Sequence, residues 1–360
     1  MTNNLDRIQN EAVKQRVVTA EEAASWIEDG MTLGLSGFTL SGDAKAIPEA
    51  LVQRAENGEK FKVNVYTGAS LGSETDAKLS SHGLLAKRLP FQADRTLRGE
   101  INKGSLFYVD QHLSQTAEYV RQGTIPTIDY AVIEASAIEE DGTIIPTTSV
   151  GNSNIFAEKA DKIIVEINEA QPDFTGMHDI YTPGEQGDRQ PIALTKSDDR
   201  IGHHGIQVDP DKIAGVVFTN QVDTPSPNAG PDEETETMAS HLLSFLRNEV
   251  DEGRLTNELL PLQAGIGSQA NAVMLGLLKS DFENLEVYSE VIQDAMFDLI
   301  DAGKLKFASA TSITITEEKM EEVYGNFEQY KDKIVLRPQE ISNNPEIIRR
   351  LGIIGINTAL

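Results

Sequence analysis

The sequence contains no cysteine and no apolar stretch long enough to cross a membrane. The absence of cysteine excludes disulfides, thiolate metal ligands and cysteine nucleophiles. Residues 1–16 are polar and lack the apolar core of a signal peptide. We therefore expect a cytoplasmic protein that is neither secreted nor inserted into a membrane.

Basic residues are scarce relative to acidic ones. The 31 Lys and Arg residues stand against 57 Asp and Glu residues, which gives a formal net charge of −26. Nucleic acids and anionic membranes both require a basic face, so we expect neither as a partner. An anionic ligand must then be bound through local features, which is feasible because salt screens charges over roughly 8 Å.

Motifs of several enzyme classes are also missing. The six histidines show no metal-ligand spacing, and the adjacent pair His203-His204 cannot place both rings on one face of a strand. The sequence has no GxSxG motif, and its glycine loops lack the lysine of a nucleotide phosphate loop. We therefore expect no metal site, and a serine hydrolase is disfavoured.

The most informative stretch is residues 260–294, LPLQAGIGSQANAVMLGLLKSDFENLEVYSEVIQD. Its loop Gly265-Ile266-Gly267 leads into a helix predicted to begin at Ser268. Backbone N–H groups at such a helix start can bind an anion or stabilise an oxyanion. A close-packed glycine turn of an ordinary α/β protein has the same pattern, so both interpretations stay open at this point.

Glu290 follows the predicted strand LEVY in the same stretch. Ligands bind beyond the carboxyl ends of the strands in α/β sheets, which makes Glu290 a candidate nucleophile. The segment VIQDAMFDLIDAG after it is predicted to be a helix. A glutamate in the first turn of a helix can instead simply complement the helix dipole, and the residues alone leave this alternative open.

The order helix, glycine, strand, glycine loop, helix, strand occurs twice along the chain. In the first copy the helix predicted over residues 43–57 has Pro48 in its middle. The segments VNVYTG and LEVYSE occupy the same slot in the two copies, which places Gly68 opposite Glu290. The repetition predicts two related α/β halves that face each other, only one of which carries the acid.

The predicted boundary between the halves lies in a segment rich in Pro, Asp, Glu and Asn without apolar periodicity. We assign residues 1–220 to the first domain, residues 221–232 to a linker and residues 233–360 to the second domain.

Three segments of the second half carry a resemblance to a known family. PLQAGIGSQANAV, NLEVYSEVIQD and VLRPQEISNNPEIIRRLGII closely resemble the acetyl-CoA hydrolase/transferase family. This is the branch of the class I CoA-transferases that includes succinyl-CoA:acetate CoA-transferase. In the first half GLSGFT, IIPTTSVGNS and HDIY are similar to signatures of the same family.

The resemblance implies two related open α/β domains with the active site at their interface, usually in a homodimer. It implies that Glu290 is the catalytic nucleophile and that Asn343 helps to orient it. The implied CoA-binding and oxyanion loop consists of Gly265, Ile266, Gly267, Ser268 and Gln269, where the backbone N–H of Ile266 serves the oxyanion. The residues implied to border the acyl pocket are Gly37, Phe38, Thr39, Thr67 and Ser70.

The implied reaction is acyl-CoA:carboxylate CoA transfer through a glutamyl-CoA thioester, with acetyl-CoA or succinyl-CoA and short carboxylates as substrates. Coenzyme A is then a substrate, and no tightly bound cofactor is expected. Acetyl-CoA hydrolysis at the same site is the first alternative. Members of the family continue into a C-terminal glycine-rich segment, so we expect the second domain to be truncated at its C-terminal end. An inactive CoA-binding or assembly protein is therefore the second alternative.

Overall fold

The computed structural model describes residues 4–72, 74–226 and 230–357. The first half contains eight strands: β1 Thr32–Leu35, β2 Val63–Tyr66, β3 Leu85–Leu89, β4 Phe107–Tyr108, β5 Ile128–Ile138, β6 Ile144–Pro146, β7 Ala160–Asn168 and β8 Ile213–Thr219. Its α-helices are α1 Glu11–Lys14, α2 Ala20–Ser25, α3 Ala46–Glu56, α4 Asp76–Ser81, α5 Arg95–Lys103, α6 Thr116–Arg121 and α7 Ser153–Lys159. The strands form one sheet in the order β4-β3-β2-β1-β5-β7-β8, and β6 pairs antiparallel with β5.

The second half begins with the long helix α8 Glu233–Asp251. It continues with β9 Leu262–Ala264, α9 Ser268–Lys279, β10 Leu285–Tyr288, β11 Val291–Ile292, α10 Asp294–Asp301, β12 Leu305–Ala310, β13 Ser312–Ile313, α11 Glu317–Gly325, β14 Ile334–Leu336, α12 Gln339–Ser342, α13 Pro345–Leu351 and β15 Ile354–Ile356. Five of these strands form a parallel sheet in the order β14-β12-β10-β9-β15, and β11 pairs with β13.

The predicted duplication is confirmed by the order of the strands. The run β4-β3-β2-β1-β5 in the first sheet has the same order and directions as β14-β12-β10-β9-β15 in the second. Even an irregularity is repeated, because the register shifts between Val63 and Asn64 in one sheet and between Leu285 and Glu286 in the other. The chain is therefore an α/β protein with two related open sheets.

Helix α3 shows why a proline is compatible with this fold. The helix begins at Ala46, so Pro48 lies in its first turn, where a missing N–H breaks no intrahelical hydrogen bond. The expectation that Pro48 interrupts the middle of the helix is wrong. The start of α3 is instead held by the buried carboxylate of Glu166 on β7, which accepts from the backbone N–H groups of Lys45, Ala46 and Ile47 at 2.7, 3.0 and 2.8 Å.

The two halves share one hydrophobic core. The largest cluster of buried apolar side chains contains residues from both sheets. Backbone hydrogen bonds also cross between the halves, from the Val150 N–H to the Thr311 carbonyl and from the Ile313 N–H to the Thr148 carbonyl, each at 2.9 Å. The predicted linker is tied to this body as well, since Asp223 is buried and accepts from the Gly42 N–H at 3.0 Å. The domain boundaries themselves stay a prediction.

Among the described residues, no helix has both the length and the apolar character of a membrane span.

Candidate active site

Glu290 lies at the carboxyl end of β10, in the short connection to β11. Helix α10 does not begin until Asp294. Glu290 is therefore not in the first turn of a helix, and its interpretation as a residue that merely complements a helix dipole is wrong. Gly68 occupies the matching place in the first half, since each of the two residues lies two positions past the last residue of its strand.

A cavity of about 330 Å³ opens beside Glu290. Its lining comes from the second half: Gln263, Tyr288, Ser289, Glu290, Ser342, Asn343, Ile348, Ile353, Gly355 and Asn357. Asn343 donates its Nδ2 amide to Oε1 of Glu290 at 2.6 Å. Of the residues that the resemblance assigns to catalysis, the structure therefore brings Glu290 and Asn343 into direct contact.

The surroundings of Glu290 shift its acidity in two opposing directions. Burial raises the pKa of the carboxyl above its usual value, and the hydrogen bond from Asn343 lowers it. Lys and Arg are absent from the residues that line the cavity. An ionised Glu290 thus has an amide as its partner rather than a cation.

The glycine loop Gly265–Gly267 is held next to Glu290 by side chains on either side of that residue. Gln293 donates to the Gly265 carbonyl at 3.2 Å, and the Ser289 hydroxyl donates to the Ala264 carbonyl at 3.3 Å. On its other side the loop joins the edge strand, because the Gly265 N–H donates to the Ile356 carbonyl at 2.9 Å. The predicted anion loop is therefore tied to the segment that carries the predicted nucleophile, but none of the residues 265–269 lines the cavity beside Glu290.

The first residue of α9 is the one predicted from the sequence. The helix begins at Ser268, as predicted, and Gly267 precedes it with a φ of 145°, a conformation that favours glycine. The Ser268 hydroxyl donates to the side-chain carbonyl of Gln269 at 3.3 Å. Ile266 is 54% exposed, so the loop lies at the surface. The roles of these residues in binding CoA or an oxyanion stay predictions.

None of the predicted acyl-pocket residues lines the cavity beside Glu290. Phe38 is fully buried in a small cluster with Ala69 and Val291, the residue after Glu290. The Gly68 N–H donates to the Gly37 carbonyl at 3.2 Å. The structure thus brings the two first-half loops against the segment that carries Glu290.

Polar groups of the predicted acyl-pocket residues form hydrogen bonds with other parts of the protein. The fully buried hydroxyl of Thr67 donates to the Ala69 carbonyl at 2.6 Å and accepts from Arg88 at 2.7 Å. The Thr39 carbonyl accepts from the Thr314 hydroxyl at 2.7 Å, and the Ser70 hydroxyl accepts from the Ala93 N–H at 3.1 Å. Their role as the border of an acyl pocket stays a prediction.

Several residues that shape the site were missed from the sequence. Gln293 and Ser289 fix the glycine loop, and Gln263 forms a reciprocal pair of amide hydrogen bonds with Asn357 at 3.1 and 2.7 Å in the cavity wall. Gln263 is the second-last residue of β9, and Ser289 directly follows β10. Ligands bind at the carboxyl ends of the strands in α/β sheets, so these positions were the signal that could have identified both residues. Among the described residues, no group of three or more His, Asp or Glu side chains is arranged to hold a metal ion.

A family profile and similar sequences both identify the family of this chain. The profile of the acetyl-CoA hydrolase/transferase N-terminal domain matches residues 1–218. The chain is 46% identical to a succinyl-CoA:acetate CoA-transferase of Clostridium kluyveri, over 98% of this chain and 66% of that protein. It is 42% identical to an acetyl-CoA hydrolase of Candida glabrata, over 98% of this chain and 69% of that protein. The chain thus spans about two thirds of the length of these relatives.

Solved structures share the fold. RipA from Yersinia pestis superposes with a TM-score of 0.72 at 19% identity, covering 99% of this chain and 74% of that one. A 4-hydroxybutyrate CoA-transferase from Porphyromonas gingivalis superposes with a TM-score of 0.61 at 18% identity, covering 96% and 74% of the two chains. From the profile match and from relatives more than 40% identical along nearly its whole length, this chain belongs to the acetyl-CoA hydrolase/transferase family of enzymes.

Proposed function

We propose that this protein is an acyl-CoA:carboxylate CoA-transferase for short acids, with acetyl-CoA or succinyl-CoA as donor and acetate or a similar carboxylate as acceptor. The observation that carries the proposal is the placement of Glu290. Its carboxylate lies at the end of β10, faces a cavity of about 330 Å³ and accepts a 2.6 Å hydrogen bond from Asn343. A carboxylate so placed can act as an oriented nucleophile.

In the proposed reaction Oε2 of Glu290 attacks the thioester carbonyl of the acyl-CoA. The carbon–sulfur bond breaks, and an acyl-glutamyl anhydride and CoA thiolate form. The thiolate attacks the glutamyl carbonyl, which releases the first carboxylate and leaves a glutamyl-CoA thioester. An incoming carboxylate then attacks the glutamyl-CoA thioester, which forms a new acyl-glutamyl anhydride and releases CoA thiolate. The thiolate attacks the acyl carbonyl of this anhydride, which gives the new acyl-CoA and restores Glu290. The net reaction exchanges one thioester for another of similar energy, so it consumes neither a nucleoside triphosphate nor an oxidant.

Each of these steps passes through a tetrahedral intermediate with a negatively charged oxygen. We assign its stabilisation to backbone N–H groups of the Gly265–Gly267 loop, Ile266 in particular. Two hydrogen bonds support the assignment. Gln293 donates to the Gly265 carbonyl and Ser289 donates to the carbonyl of Ala264, just before the loop, and together they tie the loop to the segment that carries Glu290. A fixed donor needs no reorganisation as charge develops, and losing one such donor costs roughly 3–4 kcal/mol in other enzymes.

Hydrolysis of acetyl-CoA at the same site is the second candidate, and the 42% identity to an acetyl-CoA hydrolase of Candida glabrata favours it. The two reactions differ in whether a carboxylate or water accepts the acyl or CoA group. Release of free CoA from acetyl-CoA in the absence of a carboxylate identifies the hydrolase. Formation of succinyl-CoA from acetyl-CoA on addition of succinate, without net release of CoA, identifies the transferase.

The covalent intermediate provides the direct test. We expect mass spectrometry of the protein incubated with acetyl-CoA to find CoA attached to the peptide that contains Glu290. Glu290→Ala serves as the matched control and should carry no adduct. An unmodified wild-type peptide, or equal turnover by Glu290→Ala, contradicts the proposed mechanism. Binding of CoA without turnover would instead identify an inactive CoA-binding protein.

A homodimer and a cytoplasmic location belong to the same proposal. Light scattering of the purified protein tests the dimer, and fractionation of cells that produce the protein tests the location.

A further inference from the structure

The residue that orients Glu290 lies at the end of a very short helix. Asn343 directly follows α12, which is only four residues long, and its N–H donates to the Gln339 carbonyl at 2.8 Å. A helix of one turn is not stable by itself in water. All four residues of α12 are buried, so contacts with the surrounding protein must fix its position and hence the direction of the Asn343 side chain.

One of these contacts is a buried ion pair with the first half of the chain. Arg121 at the end of α6 donates Nη2 to Oε1 of Glu340 on α12 at 2.6 Å. The exposed fractions of Arg121 and Glu340 are 6% and 5%. Arg121 also donates Nη1 to Glu118 at 2.7 Å, and Glu118 accepts from Arg189 at 2.8 Å. The guanidinium is therefore itself fixed on the first-half side.

Glu340 and Asn343 are three positions apart, so their side chains project from neighbouring faces of the same turn. One side chain reaches across to α6, and the other reaches Glu290. The opposite end of α12 is held separately, because Gln339 donates its side-chain amide to the Leu113 carbonyl at 2.8 Å. Between these contacts the Tyr288 hydroxyl donates to the Ile341 carbonyl at 2.6 Å, and the ion pair at Glu340 adds the hold on the side of the turn that faces α6.

We propose that Arg121 is a positioning residue for the nucleophile: its ion pair with Glu340 holds α12 in the rotation that directs Asn343 at Glu290. The proposal rests on the proposed function, in which Glu290 attacks the thioester. Arg121 does not line the cavity beside Glu290, so it acts through the Glu340 ion pair and Asn343 rather than on the substrate. The first half of the chain thereby contributes to chemistry that takes place in the second.

The test replaces the ion pair without leaving a buried charge. Removing Arg121 alone would leave Glu340 unpaired in the interior, whereas replacing both partners by apolar side chains is often neutral for stability. We therefore choose the double variant Arg121→Met/Glu340→Leu, with Arg121→Gln/Glu340→Gln as a milder second pair should the apolar variant not fold. Arg16→Met is the control, because Arg16 is partly buried and also ties two segments of the first half together, donating to the Pro210 and Ile213 carbonyls at 2.6 and 2.8 Å.

We expect kcat of the paired variant to fall about tenfold, within the range set by loss of a hydrogen bond to a charged group. The KM for acyl-CoA should change less than twofold, and the acidic limb of the pH–kcat profile should move to higher pH. Arg16→Met should leave that limb in place. In an Asn343→Ala background the paired substitution should cause no further shift, because both changes remove the same hydrogen bond.

A titration without turnover keeps this proposal separate from the proposed function. In protein labelled with [13C-carboxyl]glutamate, the resonance absent from Glu290→Gln reports the ionisation of Glu290 by NMR. Its midpoint should rise in both ion-pair variants and not in Arg16→Met. Folded ion-pair variants with a wild-type midpoint would overturn the positioning role. A wild-type protein that shows no turnover would contradict the proposed function alone.

Discussion

The two halves have the same strand order but carry different residues at the equivalent position after their second strand. In both, a glycine-containing loop follows the first strand of the unit, and the critical residue lies two positions beyond the second strand. In the second half that residue is Glu290, which borders a cavity of about 330 Å³. In the first half it is Gly68, where a Cβ atom would lie 2.5 Å from the Gly37 carbonyl oxygen and 2.9 Å from Oε1 of Gln339.

This difference shows that space, rather than strand order, decides which half carries the acid. The first-half position is filled by its own backbone and by Gln339 from the second half, so a side chain there has no room. The second-half position is open on one side. The first half instead contributes the anchors of α12. Four predictions test whether the second half supplies the reacting carboxylate while the first half supports its position.

The largest effect is expected from removing the acid. Glu290→Gln keeps the size of the side chain and can still accept a hydrogen bond from Asn343, but it has no charge to attack a thioester. We expect turnover to fall at least about 10⁴-fold, as for removal of a nucleophile in other enzymes. Steady-state assays of CoA transfer provide the measurement, and turnover within tenfold of wild type would show that the acid of the second half is not the nucleophile.

The matched change in the first half should act on stability. Gly68→Ala places a Cβ against backbone atoms, and overpacking of this kind costs typically 1–3 kcal/mol. Glu290→Ala, at the matching position beside an open cavity, should lower the free energy of unfolding far less. Urea unfolding of both variants measures the contrast. Equal stabilities of the two variants would contradict the argument that Gly68 is enclosed.

Removing the orienting amide should reduce the rate and shift its pH dependence. Asn343→Ala removes a hydrogen bond to a charged group, worth about 1.5–3 kcal/mol, so kcat should fall roughly 10- to 100-fold. The pKa of Glu290, already raised by burial, should rise further because the hydrogen bond that lowers it is lost. The reactive form is the carboxylate, so the acidic limb of the pH–rate profile should move to higher pH. An unchanged limb would show that Asn343 does not act on the ionisation of Glu290.

The smallest effect concerns the stability of the protein rather than its activity. Because burial raises the pKa of Glu290 in the folded state, ionisation of this residue lowers the stability at pH values above the folded pKa. This penalty is absent below the pKa of the unfolded chain. Glu290→Gln should therefore raise the melting temperature slightly near neutral pH, and the gain should vanish as the pH falls below about 4. A loss of stability at neutral pH would contradict this sign.

Much of the architecture could be predicted from local patterns. The repeated order of helices, strands and glycine loops located both sheets, and it placed Gly68 opposite Glu290. Helix α9 begins at Ser268 as the glycine pattern indicated. These features depend on residues close together in sequence, for which periodicity and turn chemistry are sufficient.

The rest depends on contacts between distant parts of the chain. Arg121 and Glu340 are 219 residues apart, and nothing in either local sequence distinguishes them from exposed charges. The placement of Glu290 ahead of β11 rather than in a helix depends on β13, which forms the strand pair with β11. Asn343 could be identified only through family resemblance, because an isolated asparagine after a short helix has no distinctive pattern.

The carboxylate of Glu166 at the start of α3 has a consequence for synthesis of the protein. The helix and its cap are separated by about 120 residues along the chain. Proteins emerge from the ribosome N-terminal end first. While α3 is already free of the ribosome, the backbone N–H groups of Lys45, Ala46 and Ile47 must remain hydrated until β7 has been translated and has joined the sheet. A gene fragment that stops before codon 166 would leave the start of this helix uncapped.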